Sequence, residues 1–125
     1  MLPKFRCFDK GTKTMHEVVS IDFRDWRVYY EAYGLRNYWN KNVVLMQSTG
    51  LHDEQGVEIF QGDVVKIVYD GEPFTGVVVY DLGEADFKAT NGHEDYGNNF
   101  QCLTVGESIE VIGNVHQHPE LLEDV

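Results

Sequence analysis

"TGLHDEQGVEIFQGDVV", Thr49 to Val65, decides how this chain is read. It sets two sharp turns around one short β-prone run. Asp53-Glu54-Gln55-Gly56 has hairpin chemistry, because an aspartate side chain opens a turn and a glycine accepts the positive φ that closes it. "VEIF" follows, with Val57 and Ile59 on one face. Gln61-Gly62-Asp63 then reverses the chain again. Gly62 permits a left-handed or bulge conformation, and Asp63 offers its side chain to nearby backbone amides. A short strand between two such turns feeds a larger β structure, whose walls are "VVKIVY", "GVVVYD" and "EVIGNV".

Upstream, "KFRCFD" and "TMHEVVSIDF" alternate as strands and are joined by the glycine turn "DKGTK", which predicts a hairpin. "RDWRVYYEAYGLRNYWNKN" is ambiguous, since its aromatic residues fit both helical and alternating spacing. Its aromatic and β-branched content favours a strand pair with a loop after Gly34. Downstream, "DGEP" and "LGEAD" bracket "FTGVVVYD". "FKAT" and "FQCLTV" pair across a polar loop, "SIEVIGNV" is the last strand, and "HPELLEDV" reads as a short helix with Pro119 in its first turn. The expected fold is mainly β within a single domain, 1–125. A β-rich N-terminal section, 1–48, precedes a small SH3-like β-barrel, 49–125, with a short C-terminal helix.

The 125 residues suffice for one domain with a core, and the composition is that of a globular chain. No apolar run approaches the ~20 residues of a membrane-spanning helix. "MLPKFRCFDK" lacks an apolar signal core, so the expectation is a cytoplasmic protein. Cys7 and Cys102 allow one disulfide, but a reducing compartment favours free thiols. The net charge of −11 is unevenly spread. Through Asn42, eight Lys and Arg face five Asp and Glu, a balance of +3; the rest sets two lysines against sixteen acids, a balance of −14. Opposed ends of this kind attract copies of the same chain or present one end to an anion.

Several separated pieces, in order, resemble the YopX-like family of phage and prophage proteins: "FRCFDKGTKTMHEVVSIDF", "MQSTGLHDEQGVEIFQGDVV", "GVVVYD" and "SIEVIGNVHQHPELL". The resemblance spans nearly the whole chain and is weakest over 24–42 and 84–99. It implies a mobile-element origin, a bacterial host cytoplasm and self-association, and it supplies no catalytic residue.

The residues themselves give little chemistry. No nucleophile elbow, C-x-x-C or H-E-x-x-H is present, and the glycines are scattered over turns rather than gathered before a helix. "HQH", His116 to His118, would place two imidazoles on one face of a strand, but paired-ligand spacings are missing. No metal or cofactor is expected. Asp63 is assigned to capping rather than to general-base duty, and acids such as Asp53-Glu54 to solubility. The segment 24–41 interleaves arginines with aromatics, a composition shared by protein interfaces and single-strand nucleic-acid platforms. Trp26, Arg27, Tyr29, Tyr33 and Trp39 are therefore the candidate interface, and Gly56, Gly62 and Asp63 the structural turns. The preferred expectation is a non-catalytic accessory protein that forms homo-oligomers or binds a host or phage protein. The alternative is a nucleic-acid-binding β-barrel, and a minor one is an acidic inhibitor of a host nucleic-acid-binding protein.

Overall fold

One local rule recurs in three hairpins: an aspartate opens the turn, and the residue four places on lies in the left-handed region. The residues are Asp9 and Lys13 (φ 58°), Asp22 and Trp26 (φ 57°), and Asp81 and Ala85 (φ 53°). Asp9 Oδ1 accepts from Gly11 N and Thr12 N at 2.9 and 3.2 Å. Asp22 Oδ1 accepts from Arg24 N and Asp25 N at 2.9 and 3.2 Å. Asp81 Oδ1 accepts from Gly83 N at 2.9 Å. The carboxylate stands in for a backbone partner and fixes the reversal.

The computed structural model describes residues 4–30, 36–38, 42–91, 100–103 and 108–122, and the chain divides into two compact units, Met1–Ser48 and Thr49–Val125. In the first unit β1 (Phe5–Asp9), β2 (Thr14–Asp22), β3 (Arg27–Tyr30), β4 (Arg36–Tyr38) and the start of β5 (Val43–His52) form a sheet in the order β4-β3-β2-β1-β5. The β1–β2 hairpin pairs Asp9 with Thr14 and Arg6 with Glu17. β3 and β4 are an antiparallel pair, so the aromatic segment takes the strand reading. Its core is the buried cluster Cys7, Val28, Tyr30 and Val43, with Val18 and Leu45 packed against it.

In the second unit the end of β5 pairs with β6 (Glu58–Phe60). β7 (Asp63–Tyr69), β8 (Glu72–Asp81), β9 (Asp86–Thr90), β10 (Phe100–Cys102) and β11 (Ser108–Asn114) form an antiparallel sheet in the order β10-β9-β8-β7-β11. β8 begins two residues earlier than the "DGEP" turn implied. Asp70 (φ 49°) and Gly71 (φ 80°) make a two-residue reversal of the kind that matches strand twist, so Tyr69 pairs directly with Glu72. Ile59, Val65, Ile67, Val78, Ala89 and Leu103 form the core, with Leu51, Phe74 and Phe87 among its partners.

Two expectations are met only in part in this unit. The three walls β8, β7 and β11 are neighbours as read, but among the described residues the sheet is open and closes no SH3-like barrel. At β11, the last strand in that order, the 53–57 turn meets the backbone. Asp53 Oδ2 accepts from Val111 N at 3.0 Å, and Glu54 N donates to Ile109 O at 3.3 Å. A turn thus uses backbone groups that barrel closure would need. The terminal helix is, among the described residues, a 3-10 turn, Pro119–Leu122. Leu121 N donates to His118 O at 3.1 Å, and Leu121 packs over Gly113 so closely that a Cβ there would lie 2.6 Å from Leu121 Cδ1.

Candidate interface

The β2–β3 hairpin of the first unit carries the candidate surface. Trp26 occupies the left-handed position of its turn and is 57% exposed. That conformation is costly for any residue with a bulky Cβ, and glycine or asparagine is the usual occupant. Lys13 and Ala85 show that the turn type demands the conformation; the tryptophan is the unusual choice for it.

A β-bulge supplies the second element. Val18 pairs with Tyr30 and Ser20 with Tyr29, so two steps along β2 match one along β3. Val19 is the extra residue. Bulges re-aim side chains, and Val19 is 64% exposed, as is Phe23 in the adjoining turn. Together with Lys4, Phe5, Val18 and Ile21, these two line an open cavity of about 460 Å³. The walls are mainly apolar, and Lys4 contributes a cation.

The opposite face of the hairpin is spent on the core. Val28 and Tyr30 are buried, and the Tyr30 ring stacks on His16 at 4.7 Å between centroids and 13° between planes. Arg27 and Tyr29 alternate with them and are half-buried. Of the expected interface residues, the structure thus brings Trp26, Arg27 and Tyr29 onto one hairpin, while Tyr33 and Trp39 lie outside the described residues. Val19 and Phe23 were missed. A strict period of two hides a bulge, and Phe23 looks like the last residue of a strand until the aspartate turn is recognised.

Gly56 and Gly62 both have φ 86°. Gly62 N donates to Val78 O, and Gly62 O accepts from Val115 N, each at 2.9 Å, which ties the turn to β8 and to the end of β11. Asp63 is buried, and its Oδ2 accepts from Phe60 N at 2.8 Å. Asp53 is buried as well, which corrects its reading as a solubilising acid. Its Oδ1 accepts from Gln55 N at 2.9 Å and Val57 N at 2.8 Å, beside the Val111 bond from the other oxygen. Burial alone would raise its pKa, but the three backbone donors prevail and hold it below the usual carboxylate value. The signal for this role was the Asp-x-x-Gly spacing; the bond to Val111, 58 residues away, has no local signature.

Cys7 and His118 are held in structural surroundings. The Cys7 thiol is pushed up to about 12, chiefly by burial, with the Tyr30 hydrogen bond opposing and the Asp9 charge adding, so it stays protonated at neutral pH. His118 Nδ1 accepts from Asn114 N at 3.2 Å, a turn-capping role. Among the described residues no three His, Cys, Asp or Glu side chains converge as metal ligands, and no helix is long and apolar enough to cross a membrane.

Fold and surface define a class: a small antiparallel β protein of two units, with an apolar hairpin exposed on the first. Within that class the chain belongs to the YopX family, whose model, described as YopX protein, matches residues 4–123. It is similar to protein EF1440 from Enterococcus faecalis, with a TM-score of 0.67 and 28% identity over 98% of this chain and 99% of that one. It is likewise similar to protein yopX from Bacillus subtilis, with a TM-score of 0.61 and 26% identity over 96% and 98% of the two chains. No curated protein matches it.

Proposed function

We propose that this YopX-family chain is a non-catalytic accessory protein of phage or prophage origin, working in the bacterial cytoplasm through protein contacts and self-associating through the β2–β3 hairpin. The observation that carries the reading is the exposure of Val19, Phe23 and Trp26 on one hairpin, the tryptophan in a backbone conformation that disfavours it. Burying such side chains is worth about 1.5–3 kcal/mol each, and aromatic anchors dominate protein interfaces. The charge division supports a second copy as the partner: +3 through Asn42 meets −14 in the remainder of another chain.

The same turn places Arg24 and Arg27 beside Trp26, which keeps single-stranded nucleic acid as the rival reading. The −11 total charge opposes it. Sedimentation equilibrium of the wild type and of Trp26→Gly tests the proposal. Glycine suits the left-handed position, so the turn survives while the side chain goes. Assembly by the wild type and its weakening in the variant is the expected result. A monomer that binds labelled single-stranded oligonucleotides with steep salt dependence, and loses them on Trp26→Gly, would transfer the function to nucleic acid.

A further inference from the structure

Leu82 is the most exposed of the large apolar side chains recorded among the described residues, at 86%. It stands at the tip of the β8–β9 hairpin, on a turn that is held stiff. Asp81 Oδ1 accepts from Gly83 N, Ala85 takes the left-handed position, and Tyr80 meets Phe87 edge-on at 5.1 Å at the base. The Lys88 ammonium lies 3.2 Å from Asp81 Oδ2 and is hydrogen-bonded to Glu84, with its side chain mostly buried. A leucine left this exposed gains nothing from so fixed a mount. A leucine that enters a partner's pocket does, because a preorganised loop loses little entropy on binding.

We infer that the Leu82 tip of one copy seats in the β1–β2 cavity of a second copy, between its Val19 and Phe23. Charge selects this occupant. The tip carries Asp81, Glu84 and Asp86 against Lys88 alone. The cavity belongs to the section of the chain whose charge balance is +3. Each copy offers one knob and one cavity, so every contact joins two different patches. Exposed charges at the rim make the association weaken with salt.

The inference rests on the self-association proposed above, and complementation separates the two. Leu82→Ser keeps the cavity and loses the knob; Val19→Ser/Phe23→Ser keeps the knob and loses the cavity. All three positions are exposed, so circular dichroism should be unchanged. Sedimentation velocity should find the wild type assembled and each variant dissociating at least about tenfold more readily. Mixing the variants should restore a one-to-one pair that grows no further, since only one intact contact is left. Wild-type assembly that survives Leu82→Ser, or variants that stay apart when mixed, would overturn the inference while leaving self-association standing. A wild type that is monomeric up to near-millimolar concentration would overturn both.

Discussion

The two units use their apolar residues differently. The second unit invests them in a connected core, Ile59 to Leu103, and closes its turns with buried aspartates. The first has a smaller buried cluster around Cys7 and Tyr30, and its exposed Val19, Phe23 and Trp26 gather on one hairpin, whereas the second unit's exposed Val57, Tyr80, Leu82 and Ile112 are spread over the 53–57 turn, the β8–β9 hairpin and β11. Both build hairpins with the same aspartate-led turn. In the second unit that turn carries Ala85 at its left-handed position, and in the first it carries Trp26. One backbone device thus sets a small alanine at the left-handed position in one place and an exposed tryptophan in the other. The lesson is to compare what occupies a strained position, because the strain alone belongs to the turn.

The largest effect should follow from breaking the second unit where Asp53 joins the 53–57 turn to β11. Asp53→Ala abandons three backbone donors, two within the turn and one at Val111. We expect a loss of about 3 kcal/mol, read as a lower urea midpoint. Unchanged midpoints would reduce the turn to a surface loop. Next come the changes at the following reversal. Gly62→Val forces a β-branched residue to φ 86°, and Asp63→Ala strips the acceptor from Phe60 N. About 2 kcal/mol is expected for each by the same measurement.

Acidity should reach the second unit through the same carboxylate. Asp53 has a folded pKa below its unfolded value of about 3.9. Its contribution is therefore complete above that unfolded value and is lost as pH falls through the lower folded value. Urea titrations at falling pH should show a steeper decline in wild type than in Asp53→Asn. Equal slopes would show that the carboxylate is no more favoured in the folded chain than in the unfolded one. The smallest change in stability should come from the first unit. Trp26→Gly relieves a disfavoured conformation and should move the midpoint by no more than about 1 kcal/mol, in the stabilising direction if the relief prevails. A large destabilisation would make Trp26 a core residue and erase the contrast between the units.

Local chemistry was legible in the sequence, and closure was not. The strands β1, β2, β7, β8 and β11 follow from alternation and turn residues, as do the reversals at Gly56 and Gly62. The strand reading of the aromatic segment needed its β-branched and aromatic content, because its spacing fitted both alternatives. Closure was not legible because the contacts at the β11 edge are long-range: Asp53 and Glu54, which meet it, lie more than 50 residues upstream. Trp26 and Arg27 were legible as an aromatic-basic pair. Val19 and Phe23 were not, because a bulge shifts the face of a strand without changing its composition.

On the proposed function, the first unit's exposed hairpin is kept for contact and does not hold the fold together. Sedimentation velocity of wild type and Phe23→Ser/Trp26→Gly, across a concentration series at low and high salt, tests it most directly when paired with urea melts of the same samples. Concentration-dependent assembly of the wild type is expected, weaker in high salt, with a variant that stays monomeric and keeps its urea midpoint essentially unmoved. Identical sedimentation of the two proteins, or a variant that loses assembly only because it unfolds, would contradict it.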